Sequence, residues 1–145
     1  MRILALLVLI LMETASFVKA HATADVTGAL NASFVVYSDD LDPVFLGSAF
    51  AVQVEGRGVI VTNAHVVQGR EQVVLKGFDR GFIKAAVVQR DTARDLAQLQ
   101  IDGSVTGLEP AVDAAVTEAV FAIGAPLGHE FTVTSGIVSA LDVRL

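Results

Sequence analysis

"GVIVTNAHVVQG", residues 58–69, runs three β-branched apolar residues into a polar pair, a histidine, two valines and a glycine. The first part reads as a buried strand, because β-branched side chains pack well on a pleated surface and lose rotamer freedom in a helix. The rest, "AHVVQG" (64–69), is about one helical turn stopped at a glycine, the residue that takes a left-handed conformation at least steric cost. His65, one of only three histidines, therefore stands where a strand ends and a tight turn begins.

Runs of the same kind lie on both sides, separated by Gly, Asp and Asn, and no stretch keeps a long helical period. The expected strands are "ASFVVY" (32–37), "SAFAVQVE" (48–55), "GVIVTN" (58–63), "EQVVLKGF" (71–78), "FIKAAVVQR" (82–90) and "LAQLQI" (96–101). "EGRG" (55–58) and "FDRG" (78–81) are expected hairpin turns, since glycine accepts the positive φ such turns need. The class is all-β, and six strands within roughly seventy residues point to a small closed barrel spanning residues 30–103. After a loop-like stretch from Gly103 to Asp113, strands resume at "EAVFAIG" (118–124) and "FTVTSGIVSALDV" (131–143). Residues 112–145 thus read as the start of a second unit, expected to be incomplete because two or three strands bury too little to stand alone. Phe121 and Phe131 are expected to be core residues of that unit, on the strand-like period around them.

The 145 residues have a mean hydropathy of +0.62, with 53% hydrophobic and 18% charged residues, a composition that supports a packed core. Part of the apolarity lies at the start, where Arg2 precedes "ILALLVLILM" (3–12), a run too short to span a bilayer. It reads as a secretory signal over residues 1–22, with small-x-small exits placing cleavage between 20 and 24. An uncleaved anchor is the alternative. After cleavage no stable membrane anchoring is expected, and the setting is periplasmic or secreted. A formal net charge of −6 with no Lys/Arg cluster argues against nucleic acid and anionic membranes as partners. There is no cysteine, so such a protein folds without disulfides.

Thirty residues after His65, and one hairpin further along the chain, Asp95 opens the stretch "DLAQLQID". A histidine works as a general base near neutral pH when a carboxylate fixes its tautomer and stabilises the imidazolium. Taken by spacing alone the pair is a weak signal, because a histidine beside a core strand is more often structural and an aspartate opening a strand is more often a cap. His21, His65 and His129 are scattered, and "GHEF" (128–131) lacks the second histidine of a zinc helix, so no metal site is expected. "GAPLG" (124–128) has neither the spacing nor the following helix of a phosphate loop and reads as a turn after a strand.

"GSAF", "GVIVTNAHVVQG", "RDLAQLQID", "VFAIGAPLG" and "TVTSGIVSAL", in this order, resemble the N-terminal two-thirds of a trypsin-like serine peptidase of the bacterial HtrA/Deg type, over about residues 32 to 142. The resemblance implies a chymotrypsin-like double β-barrel, with the first barrel complete and the second truncated. It further implies that His65 is the general base and Asp95 its orienting acid, on the rim of the first barrel. Asp91 falls in the variable lead-in and reads as a loop acid. Ala49 replaces the commoner glycine of the "GS-G-F" element, Ser48 reads as structural, and Gln98 takes a strand position that is usually apolar. Relatives of this type act on polypeptide substrates without a cofactor. They often carry peptide-binding PDZ domains and form homo-oligomers in full-length form, neither of which is legible in these residues.

One expected element is missing from the text. The family's nucleophile lies in a "GNSGGP"-like loop that also forms the oxyanion hole, and no such pattern occurs in these residues. Ser135 and Ser139 lie in strand text, while Ser33, Ser38 and Ser104 lack a glycine-rich elbow. Loss of the nucleophile costs on the order of 10⁶ in turnover, so this chain by itself is expected to be inactive. The function implied by the resemblance is serine endopeptidase, with this chain the N-terminal fragment. The alternative is a non-catalytic protease-fold module that binds peptides by adding a strand to an exposed edge.

Overall fold

A computed structural model describes residues 26–111 and 113–141. The signal reading for residues 1–22, with its cleavage between 20 and 24, lies outside them. After a short helix over residues 26–31, the strands are β1 (Ser33–Tyr37), β2 (Phe45–Val54), β3 (Arg57–Thr62), β4 (Gln72–Gly77), β5 (Phe82–Asp91), β6 (Leu96–Ile101), β7 (Ala119–Gly124) and β8 (Thr132–Ile137). No helix among the described residues is long and apolar enough to cross a membrane.

The first six strands close into a barrel in the order β1-β2-β3-β6-β5-β4. Every neighbouring pair is antiparallel, and the seam is sealed by β1 against β4, with Phe34 opposite Gly77 and Val36 opposite Leu75. A six-stranded barrel is narrow, so large inward side chains must be interleaved with small ones. Phe34, Ile60, Leu75 and Leu99 supply the volume, and Ala49, Ala51, Ala85 and Ala97 leave room for them. Each of the large four is at most 2% exposed, and full burial of such a side chain contributes about 1.5–3 kcal/mol. The ladder shifts register between Val36 and Tyr37 and again between Val87 and Gln89, irregularities that bend strands around a closed sheet.

The turn between β2 and β3 places Glu55 at φ 50° and Gly56 at φ 75°, two positive values as in the hairpin turns that match strand twist. The strand following it needs a glycine for another reason. A Cβ at Gly58 would lie 1.9 Å from the carbonyl oxygen of Val105, because the segment after β6 runs hard against β3. That segment is stitched to the barrel by Leu108, whose N–H donates to Ala51 O at 2.9 Å and whose carbonyl accepts from Gln53 N at 2.8 Å.

β7 and β8 form a separate two-stranded ribbon. Phe121 does not join a core as the strand period led one to expect. It is 42% exposed, and Ile137 is 60% exposed, because no further strand covers that face among the described residues. Phe131 is partly buried, edge-on to Phe78 with ring centroids 5.4 Å apart. The ribbon also meets the barrel through polar groups. Glu130, in the turn between β7 and β8, accepts from the Tyr37 hydroxyl at 2.5 Å and from Lys76 Nζ at 2.6 Å. Ser48 Oγ accepts from Ala125 N at 3.1 Å. Phe45 and Phe82 stand edge-on to Tyr37 at 6.3 and 5.9 Å.

Tyr37 is the only tyrosine and there is no tryptophan, so its spectrum reports on this contact alone. The hydrogen bond to Glu130, with burial and the negative charge adding to it, pushes the Tyr37 hydroxyl from 10.0 up to about 12. Glu130→Gln removes the charge and the strong acceptor, and tyrosinate absorbance should then develop at a pH closer to 10.0; an unchanged titration would mean that the contact does not form in solution. Gly58→Ala should cost about 1–3 kcal/mol of stability through overpacking against Val105, read as a lower urea midpoint, whereas Gly81→Ala, with open space around it, should leave the midpoint in place.

Candidate active site

β3 ends at Thr62, which is buried and whose hydroxyl donates to Ser48 O at 2.8 Å, tying the end of β3 to β2. The chain then turns through Asn63 and Ala64 into a 3₁₀ turn, His65–Val67, closed where Gly69 takes φ 71°. Val67 is fully buried and plugs the barrel end, which leaves His65 on the outer side of the turn. The turn can sit this low only because residue 47 is glycine: a Cβ there would come within 2.8 Å of a Val66 methyl. The Arg90 guanidinium, from β5, donates to the Arg70 carbonyl and reaches that of Val67 at 3.5 Å, holding the far end of the turn.

Asp95 arrives from the opposite side. Asp91, the last residue of β5, accepts from Arg94 N at 3.1 Å and from Arg94 Nη1 at 2.7 Å in the turn that follows. Asp91, expected as a loop acid, closes the strand and is engaged by the turn next to it, and the bonds from Arg94 hold its carboxyl below the usual range. Asp95 follows at φ 54°, a left-handed conformation unusual for a residue with a Cβ. Its carboxylate accepts from His65 N at 2.9 Å through Oδ1 and lies 2.6 Å from His65 Nδ1 through Oδ2.

The side chains of His65 and Asp95 are 67% and 44% exposed, so water and salt screen their charges and the hydrogen bonds, rather than bulk attraction, set the geometry. The main-chain N–H of His65 is the largest influence depressing the Asp95 carboxyl below 3.8, followed by the imidazole. An ionised carboxylate only accepts, so the proton between the two belongs to Nδ1, and in the neutral ring Nε2 is left with its lone pair free. That is the arrangement a general base needs.

The two residues singled out in the sequence are thus side by side, 30 positions apart in the chain. Ser48 accepts from Ala125 N, Ser33 donates to Ala29 O at 2.7 Å, and Ser38 is buried and accepts from Val44 N at 2.9 Å. Among the described residues no serine is hydrogen-bonded to His65, and no group of three His, Cys, Asp or Glu side chains is placed to hold a metal. Sequence reasoning passed over two residues of the site. Arg90 and Asn63 read as the last residues of expected strands, yet the Asn63 amide donates to both the carbonyl and the carboxylate of Asp95.

The family profile described as trypsin-like peptidase domain matches residues 47–144, and the chain belongs to that family. Within it the chain is of the HtrA type. It is 39% identical over 103 residues to a probable periplasmic serine endoprotease, DegP-like, of Halomonas elongata, a match covering 69% of this chain and 21% of that protein. The crystal structure of the serine endoprotease from Yersinia pestis superposes with a TM-score of 0.67 at 32% identity, covering 79% of this chain and 42% of that one. The HtrA-type protease AlgW with decapeptide gives 0.66 at 28% identity, covering 79% and 44%. The chain therefore spans about a fifth of the length of the curated relative, at 21%.

The depressed Asp95 carboxyl fixes the sign of one pH effect. Its bonds to His65 stabilise the turn above 3.8 and are lost as pH falls through the lower folded value. His65→Ala should raise the Asp95 carboxyl only part of the way to 3.8 in a carbon-detected NMR titration, because the main-chain donor at position 65 remains. A full return to 3.8 would show that the imidazole was the sole partner.

Proposed function

We propose that this chain supplies the general base and the orienting acid of a serine endopeptidase. The observation that carries the reading is the 2.6 Å bond between His65 Nδ1 and Asp95 Oδ2, on the rim of a six-stranded barrel in a trypsin-like peptidase chain. In this reading His65 Nε2 takes the proton of a serine hydroxyl as it attacks the peptide carbonyl and returns it to the leaving amine. Asp95 holds the ring and stabilises the imidazolium. Residues 30–103 form the first barrel, and residues from 112 onward begin the second. The nucleophile and oxyanion loop are not among the 145 residues, so this polypeptide alone is inactive. The substrates in this reading are polypeptides, as the naming of the relatives as endoproteases supports. The apolar run after Arg2 and the periplasmic naming of the Halomonas relative support export to the periplasm.

A protease-fold binding module remains as a second reading because the 145 residues contain no "GNSGG"-like loop. The two readings part in one assay, casein hydrolysis by protein isolated from its natural source and inspected by intact mass. The enzyme reading expects cleavage that His65→Ala lowers by about 10⁶-fold. Binding of peptide without any cleavage above the His65→Ala background would leave the module.

A further inference from the structure

Asn63 holds Asp95 by two bonds from one amide nitrogen: Nδ2 donates to the Asp95 carbonyl at 3.1 Å and to Asp95 Oδ2 at 3.3 Å. Only one rotamer of the amide serves, since both partners are acceptors and the carbonyl end of the amide would repel them. The bonds join the main chain and the side chain of the same residue. They act where the backbone sits at φ 54°, a conformation that a residue with a Cβ leaves readily unless its surroundings hold it. The carboxylate is 44% exposed, so without this donor water would compete for Oδ2, the oxygen that also receives His65 Nδ1. His65 engages both oxygens, its main-chain N–H at Oδ1 and its ring at Oδ2; the Asn63 amide, bonded to Oδ2 and to the main-chain carbonyl of the same residue, ties that carboxylate to its own backbone.

From this geometry we infer that Asn63 is a positioning residue for the histidine–aspartate pair, acting through Asp95 and not touching the reacting atoms. The inference rests on the reading of His65 and Asp95 as base and acid. It also accounts for the polar pair "TN" before "AHVV", in which the threonine ties the strand end down and the asparagine clamps the acid that orients the histidine.

The test uses the whole 145-residue chain, labelled with ¹⁵N-histidine, and reads the downfield Nδ1–H resonance of His65 and its exchange with water. Losing a hydrogen bond to a charged group should speed that exchange by about tenfold or more in Asn63→Ala. Asn63→Asp, which keeps the shape and removes the donor, should do the same, with amide shifts of the buried Val67 and Leu99 unchanged. Asp95→Asn is the reference and should abolish the resonance altogether. If Asp95→Asn abolishes it while both Asn63 variants leave the exchange rate alone, the inference about Asn63 is overturned and the base–acid reading stands. If Asp95→Asn also leaves it untouched, both fall. Collapse of amide dispersion in both Asn63 variants would make Asn63 a folding residue and equally overturn its role at the site.

Discussion

The closing of β1 onto β4 is the constraint on which the other features depend. It pairs residues about forty positions apart, with Phe34 opposite Gly77 and Tyr37 opposite Val74, and turns a curved sheet into a tube with no free edge along the seam. Once the tube is closed its bore is fixed, and the bore dictates the alternation of Phe34, Ile60, Leu75 and Leu99 with four alanines. It also dictates that Val67 drops into the open end, which in turn leaves His65 at the rim. The position of the site is therefore a consequence of packing at the mouth of the barrel, and the polar residues around it refine an orientation that the apolar interior has already chosen.

Much of this was legible in the amino-acid order. β3, β4 and β6 follow from β-branched and apolar runs bounded by turn residues, and the structure places them within a residue or two of the expected limits. The start of β2 at Phe45 was not visible, because "DPVFLG" carries Asp, Pro and Gly in the pattern of a loop, and only pairing with β1 holds it extended. The helix over 26–31 also escaped notice: it is a single short turn interrupted by Gly28, and local propensity does not mark so brief an element. Phe121 was misplaced for the converse reason. A period of two tells which residues share a face, but the burial of that face is decided by whatever packs on it.

The site divides along the same line. His65 and Asp95 were found as a pair because an imidazole and a carboxylate have few other reasons to combine with this strand pattern and this family likeness. The residues that hold them were not, since Asn63, Arg90 and Gly47 act through an amide, a guanidinium reaching main-chain carbonyls, and a missing Cβ. None of these has a signature in composition or spacing; each is a matter of what happens to lie within hydrogen-bond or van der Waals reach after folding. The left-handed φ of Asp95 belongs here too: aspartate adopts it more readily than most residues with a Cβ, but nothing in the spacing marks position 95 for it.

Every strand pair of the barrel, and the Leu108 stitch that follows it, joins residues between Ser33 and Leu108. Chains emerge from the ribosome N-terminus first, and units fold as their last residue becomes free. The barrel can therefore close, and His65 can meet Asp95, before β7 and β8 pair with each other. Synthesis thus sets a temporal order on the protein: the barrel, with the histidine–aspartate pair at its rim, can be complete while the ribbon that follows it is still unpaired.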